Sequence, residues 1–142
     1  VSYGQPGEGA GLSMMTHATP ADAQLVLIEC LRPLVLALYP DAHVGARVPD
    51  QRPAYVVTVR RDGGPMVDEV QDQAQVGINV WAPTERACFV LASQVERWLM
   101  QSPDGGVILG VTSVSGPAPV PEDGTTQSHI YMTFEAVLRG LE

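Results

Sequence analysis

Residues 75–99, QVGINVWAPTERACFVLASQVERWL, change their hydrophobic period at a single proline. Before Pro83, Val76, Ile78 and Val80 alternate with Gln75, Asn79 and Trp81, the period of two that marks a half-buried strand. After it, Cys88, Leu91, Ala92, Val95, Trp98 and Leu99 recur every three or four positions, the stripe of an amphipathic helix. Pro83-Thr84-Glu85 carries the chemistry of a helix start, and Ser102-Pro103-Asp104-Gly105-Gly106 that of a stop. Gly77, inside the strand, marks a bulge or a close backbone approach. A strand thus runs directly into a helix.

Toward the N-terminus, Ala54–Arg61 (AYVVTVRR) is rich in β-branched residues and reads as a strand. Asp62-Gly63-Gly64-Pro65 reads as the turn of a hairpin, because glycine supplies positive φ at no steric cost. The returning strand is expected over Met66–Ala82. Ala42–Val48 is a short strand. Before it, Leu25, Ile28, Leu31, Leu34, Val35 and Leu38 form a broad apolar helical face, which suits packing on a sheet. This helix is expected to start with Thr19 as N-cap, Pro20 in the first helical position and Asp22 in the first turn. Pro33 is expected to kink or break it, and Tyr39-Pro40-Asp41 to end it.

Toward the C-terminus, Val107–Ser115 is a strand, 116–124 (GPAPVPEDG) a loop, and Gln127–Arg139 a last strand. There Ile130, Met132, Phe134, Ala136 and Leu138 share one face, and His129, Tyr131, Thr133, Glu135, Val137 and Arg139 the other. Short connections favour antiparallel pairing. The expected fold is α+β: a mostly antiparallel β-sheet with two helices packed on one face and the other face partly free. Residues 1–18, Gly-rich and without an apolar period, are expected to be a flexible arm, and 19–142 one domain.

The composition narrows the function. Of 142 residues 45% are hydrophobic, so a packed core is expected, while only 17% are charged. A surface short of charge suits a protein that covers part of itself with a neighbour. The net charge is −8, which argues against binding to nucleic acid, while the use of arginine for every base says little about function. No stretch approaches about 20 uninterrupted apolar residues, so no membrane partner is expected. Cys30 and Cys88 lie in apolar helical segments and read as buried free thiols.

The motifs of catalysis are missing from the sequence. There is no CxxC, HExxH, GxSxG, P-loop or GxGxxG arrangement, and no metal or cofactor is expected. His17, His43 and His129 each read as ordinary surface residues. Asp68, Glu69 and Asp72 read as a solvated strand edge that discourages stray pairing, and Glu122-Asp123 as similar surface acids. Trp98 belongs to the helical stripe, whereas Trp81 suits either core or interface.

In this order the elements resemble the tail terminator proteins of long-tailed, siphovirus-type bacteriophages, particularly those of actinobacteria. The resemblance spans about Ala21 to Leu141. It rests on the opening helix, Arg47-Val48-Pro49, Arg52-Pro53, the strand Tyr55–Arg60 and Gly63-Gly64. It continues in Val80-Trp81-Ala82 followed at once by the helix with Thr84, Ala87, Leu91 and Ala92, then in Gly116-Pro117 and the closing Val137-Leu138-Arg139-Gly140. Each piece is a short apolar or turn pattern, so specificity lies in their combination. The arm before Met14 departs from the shared core, and Met14-Met15 allows another natural start.

The resemblance implies a non-catalytic virion protein at the head–tail junction, assembled in the host cytoplasm. It implies a ring, typically of six copies, on the head-proximal end of the tail tube. Its partners would be further copies of itself, the tail tube protein and a head–tail connector protein, with double-stranded DNA passing through the lumen. A ring needs two unlike surfaces that match. The free sheet face and strand edges supply one candidate. The hairpin with Asp62, Gly63, Gly64, Pro65, Asp68 and Glu69, and the loop with Pro117, Pro119, Glu122 and Asp123, supply others. An acidic balance suits a channel through which DNA slides without sticking. Two other readings stay open. One is a head-closure or adaptor protein. The other is a small ligand-binding domain or enzyme, which a deep pocket with His43 or His129 beside an acid would favour.

Overall fold

A computed structural model describes residues 22–64, 66–68, 71–122 and 124–139. The expected arm, Thr19, Pro20 and His17 lie outside the described residues. The first helix, α1 (Ala23–Leu38), is capped by Asp22, whose Oδ1 accepts from the Leu25 amide at 3.0 Å. Asp22 is therefore the N-cap rather than a first-turn residue. Pro33 does not break α1, which runs through it. Its ring and the missing N–H fall on the exposed side, and Leu27, Ile28, Leu31 and Val35 hold the opposite side in the core. The helix ends at Tyr39, whose ring stacks on Tyr55 with centroids 3.8 Å apart.

The strands are β1 (His43–Gly45), β2 (Val56–Gly63), β3 (Met66–Asp68), β4 (Gln71–Ala82), β5 (Ile108–Pro119) and β6 (Ser128–Arg139). They form one sheet in the order β1-β2-β4-β6-β5, with β3 also paired to β4. All pairs are antiparallel except β1–β2. The second helix, α2 (Glu85–Met100), begins at Thr84, which caps the Ala87 amide at 3.1 Å. Both helices lie on one face. There Val57 and Val59, then Ala74, Val76, Ile78 and Val80, then Ile130, Met132, Phe134 and Ala136 join the helical stripes in one core. The α+β expectation therefore holds, and so do the alternations of β4 and β6.

Three further expectations change. First, the chain does not reverse at Asp62–Pro65. Register runs from Arg61 opposite Val76 to Gly63 opposite Gln75, then on to Met66 opposite Asp72 and Asp68 opposite Gln71. Asp62 is the extra residue of a bulge, and the reversal falls between Asp68 and Gln71. Gly63 and Gly64 use their positive φ (156° and 105°) for this irregularity inside the outgoing arm. The long strand expected over Met66–Ala82 is accordingly two strands. Second, β5 continues through Pro119, so part of the expected loop is strand. Edge position explains it: β6 is its only described neighbour, so a proline nitrogen can face outward without breaking a ladder bond. Third, Asp72 is no solvated edge acid. It is 1% exposed and paired in two-pronged fashion with Arg61. The pair lies on the helix side of the sheet, where the Gln24 carboxamide of α1 accepts from the Arg61 amide.

Candidate functional site

The face of the sheet away from the helices carries the side chains of Arg60, Asn79, Trp81, His129, Tyr131 and Glu135, with Gly77 among them, as the period of two requires. It is polar and cross-linked. Arg60 Nε donates to Asp62 Oδ1 at 2.9 Å, and the Tyr131 hydroxyl donates to Asp62 Oδ2 at 3.1 Å. Gly77 leaves room for this pair, because a Cβ there would lie 2.6 Å from Asp62 Oδ2 and 2.8 Å from the Tyr131 oxygen and would push these side-chain ends aside. Gly77 thus marks a close approach and not a bulge, since β2–β4 register is continuous across it. Gln73 Nε2 donates to Glu135 Oε2 at 2.7 Å.

At the other end of this face, Glu122 fastens the connection after β5 to the sheet. Its Oε2 accepts from Trp81 Nε1 at 3.2 Å and lies 2.8 Å from His129 Nδ1, and its Oε1 is 3.7 Å from Arg52. The His129 contact has the distance of an ion pair without hydrogen-bond alignment, so buried Nδ1 has no bonded partner. The indole of Trp81 stacks on the His129 ring at 4.2 Å, and the Arg52 guanidinium lies over it at 5.3 Å. Gln127 Nε2 ties the Pro53 and Ala54 carbonyls to the same cluster. Trp81 is therefore buried, at 6% exposure.

His129 departs from the surface residue expected of it. Its side chain is 9% exposed, and its Nε2 is 2.7 Å from Asn79 Oδ1. Burial lowers its pKa, and the Arg52 cation acts in the same direction against the opposing pull of Glu122. A histidine whose folded-state pKa lies below its unfolded value of about 6.5 contributes stability that is complete above that value and lost as pH falls below it. Denaturant midpoints are therefore expected to drop between pH 7.5 and pH 5, and His129→Gln to flatten the drop. Equal slopes in both proteins would assign the pH dependence to other groups.

Beside this cluster lies a groove of about 770 Å³ between the first turns of α2 and the segment after β5. Cys88, Phe89, Pro119, Val120 and Ile130 give it an apolar lining, with Glu122 and His129 at one side. Histidine and acid do meet in a groove, as the ligand-binding reading required. Cys88 offers that groove no nucleophile. Its thiol donates to the Val80 carbonyl at 3.2 Å, and burial pushes its pKa up to about 11.

The other expected contact residues scatter. Asp62 stands on the open face, and Gly63 and Gly64 shape the bulge beside it. Pro117 and Pro119 lie on the edge strand, and Glu122 is drawn into the cluster. Pro65, Glu69 and Asp123 lie outside the described residues, as does the side chain of Asp68. Sequence reading missed the joint role of Arg52, Trp81 and His129. Only Trp81, a large aromatic on the polar face of an alternating strand, signalled it.

The fold is similar to that of a chain in the virion of a native gene transfer agent (GTA) particle, with a TM-score of 0.63 at 17% sequence identity. The similarity covers 84% of this chain and 100% of that one. No family model and no curated protein matches the sequence.

Proposed function

We propose that this chain is a structural subunit of a tailed, phage-like particle, forming a ring that caps the head-proximal end of the tail tube. There it ends tube polymerisation and offers the surface to which the head connector joins. The observation that carries this reading is the fold, shared along the whole length of a chain that belongs to a gene transfer agent virion. The order of sequence motifs, which resembles tail terminators, adds the position within the particle. In this reading residues 19–142 are the ring-forming domain, 1–18 an arm that orders on a partner, and the lumen passes double-stranded DNA without specific contacts. The bulge at Asp62–Gly64 and the segment around Pro117, Pro119 and Glu122 are surfaces proposed for the contacts.

Light scattering on the purified protein, alone and with tail tubes, tests it. Six copies of a 15.2 kDa chain give about 91 kDa for a closed cyclic assembly. The expected result is that mass, or a cap at one end of each tube in negative stain. A monomer that ignores tubes would overturn the reading. Binding to the portal side instead would favour a head-closure or adaptor protein.

One observation favours a second reading, a small ligand-binding domain: the apolar groove with His129 and Glu122 at its side. A saturable small-molecule ligand that protects a monomer against heat would support it.

A further inference from the structure

Beyond β1 the chain turns through Ala46, Arg47 and Val48 before it reaches β2, and a cleft of about 580 Å³ lies between this turn and the open sheet face. Gln24, Arg47, Thr58, Arg60, Asn79 and Trp81 are among its walls, and neither Asp nor Glu lines it. In a chain with sixteen acids and eight bases, a cleft lined by two arginines and no carboxylate is locally short of negative charge, with Asp62 offsetting Arg60 from just outside the lining.

Other groups hold the backbone at Arg47 and the side chain of Arg60. The His43 ring lies with Nε2 2.8 Å from the Arg47 carbonyl, which can only accept, so Nε2 donates and fixes the turn. Gly45 permits this, because a Cβ there would lie 2.9 Å from that nitrogen. The Arg47 guanidinium has no partner among the described residues. Arg60 is oriented through Nε by Asp62, which Tyr131 holds in turn, and its side chain remains 63% exposed with the terminal amines unengaged among the described residues. Asn79 receives His129 on its carbonyl oxygen, which leaves its amide hydrogens to be given elsewhere. The Thr58 hydroxyl adds a further possible donor.

We propose that this cleft binds an oxyanion, and that the oxyanion is a side-chain carboxylate from an adjoining copy of this chain. Guanidinium groups that keep free N–H pairs match the geometry of carboxylate and phosphate oxygens alike. The chain's own charge selects the carboxylate. Eight surplus acids make each copy complementary to a positive cleft on the next, which is the unlike-surface pairing of a head-to-tail contact. DNA phosphate is the weaker source, since duplex binding draws on many basic contacts and this chain repels it overall. The identity of the ligand rests on the ring reading above; the oxyanion site does not.

Two measurements separate these parts. In the first, the ¹⁵N-labelled protein is titrated with N-acetyl-aspartate, inorganic phosphate and a short DNA duplex. Both small anions are expected to shift the Thr58, Asn79 and arginine Nε resonances saturably, and Arg47→Ala with Arg60→Ala to remove the shifts. No saturable shift with either anion overturns the site. A duplex that binds the same resonances far more tightly than phosphate at physiological salt overturns the carboxylate in favour of DNA. In the second, light scattering follows assembly of Arg47→Glu and Arg60→Glu, with circular dichroism confirming the fold of these exposed-residue variants. Each is expected to weaken association at least about tenfold. A wild-type oligomer that both variants leave unchanged overturns the neighbouring copy as ligand. A wild-type chain that stays monomeric at every concentration, with and without tail tubes, overturns the ring reading and the neighbouring copy together, while the anion titration still decides the site.

Discussion

Arg61→Ala is expected to lower stability by about 3 kcal/mol, the loss typical when one partner of a buried ion pair is removed. The asymmetry of burial decides which half matters. The Asp72 side chain is 2% exposed, whereas that of Arg61 is 32% exposed and can reach water. Without Arg61 the carboxylate is left charged in the core margin beneath α1. Arg61 also donates to the Gly64 carbonyl at 2.9 Å, so the variant loosens the bulge as well. In a domain of this size the loss corresponds to about 10 °C in melting temperature. Asp72→Asn, which keeps an acceptor and removes the charge, should cost less. Lysine at 61 should rescue only partly, because it cannot present the planar fork. Denaturant titration of the three variants checks this. A change below about 0.5 kcal/mol for Arg61→Ala would mean that other donors satisfy Asp72.

Gly64→Ala should be comparably damaging, at about 3 kcal/mol, for a different reason. Gly64 holds φ at +105°, and a Cβ there would sit 2.2 Å from the Gln73 carbonyl oxygen and 2.9 Å from the Gln75 nitrogen. Those neighbours are backbone of β4 and cannot turn aside as a flexible side chain would. Gly110→Ala is the control. Nothing lies within 4 Å of the Cβ position at Gly110, and its φ is not in the positive region, so the variant should stay within about 0.5 kcal/mol of the parent. Melting curves of the two variants suffice. Equal stability would show that the bulge relaxes around an added methyl group. Because Arg61 and Gly64 share a hydrogen bond, the double variant should lose less than the two single losses combined.

The comparison of sequence with structure turns on distance along the chain. The faces of β4 and β6 and the stripe of α2 were legible because side-chain direction follows from local backbone geometry, two residues per repeat in a strand and 3.6 in a helix. The start of α2 at Pro83-Thr84-Glu85 was legible for the same reason, since the cap that Thr84 supplies reaches an amide only three residues away. The glycine pair at 63–64 was legible as a site of positive φ but not in its use. A bulge and a hairpin turn call for the same residue, and only the partner strand distinguishes them.

The period of two puts Asp72 on the face of Ala74 and Val76, but nothing local marked the partner that permits its burial, or His129 as part of a cluster. Asp72 meets Arg61 across a hairpin whose register depends on the bulge. Trp81 meets Glu122 at a separation of 41 residues, and His129 meets Asn79 at 50. The contact surfaces are of this second kind. The sequence by itself determined the two helices, most of the strands and hence the α+β class, because those follow from steric preference and hydrophobic period within a few residues; the core face of α1 was legible only in part, since Leu25, Leu34 and Leu38 are exposed while Ala23 and Leu27 are buried. The order of strands, the edge position of β5, the polar cluster over Trp81 and the arginine-lined cleft were decided only by tertiary structure. Each of these depends on which distant side chains must be desolvated together, and that is set by packing of the whole sheet against its helices.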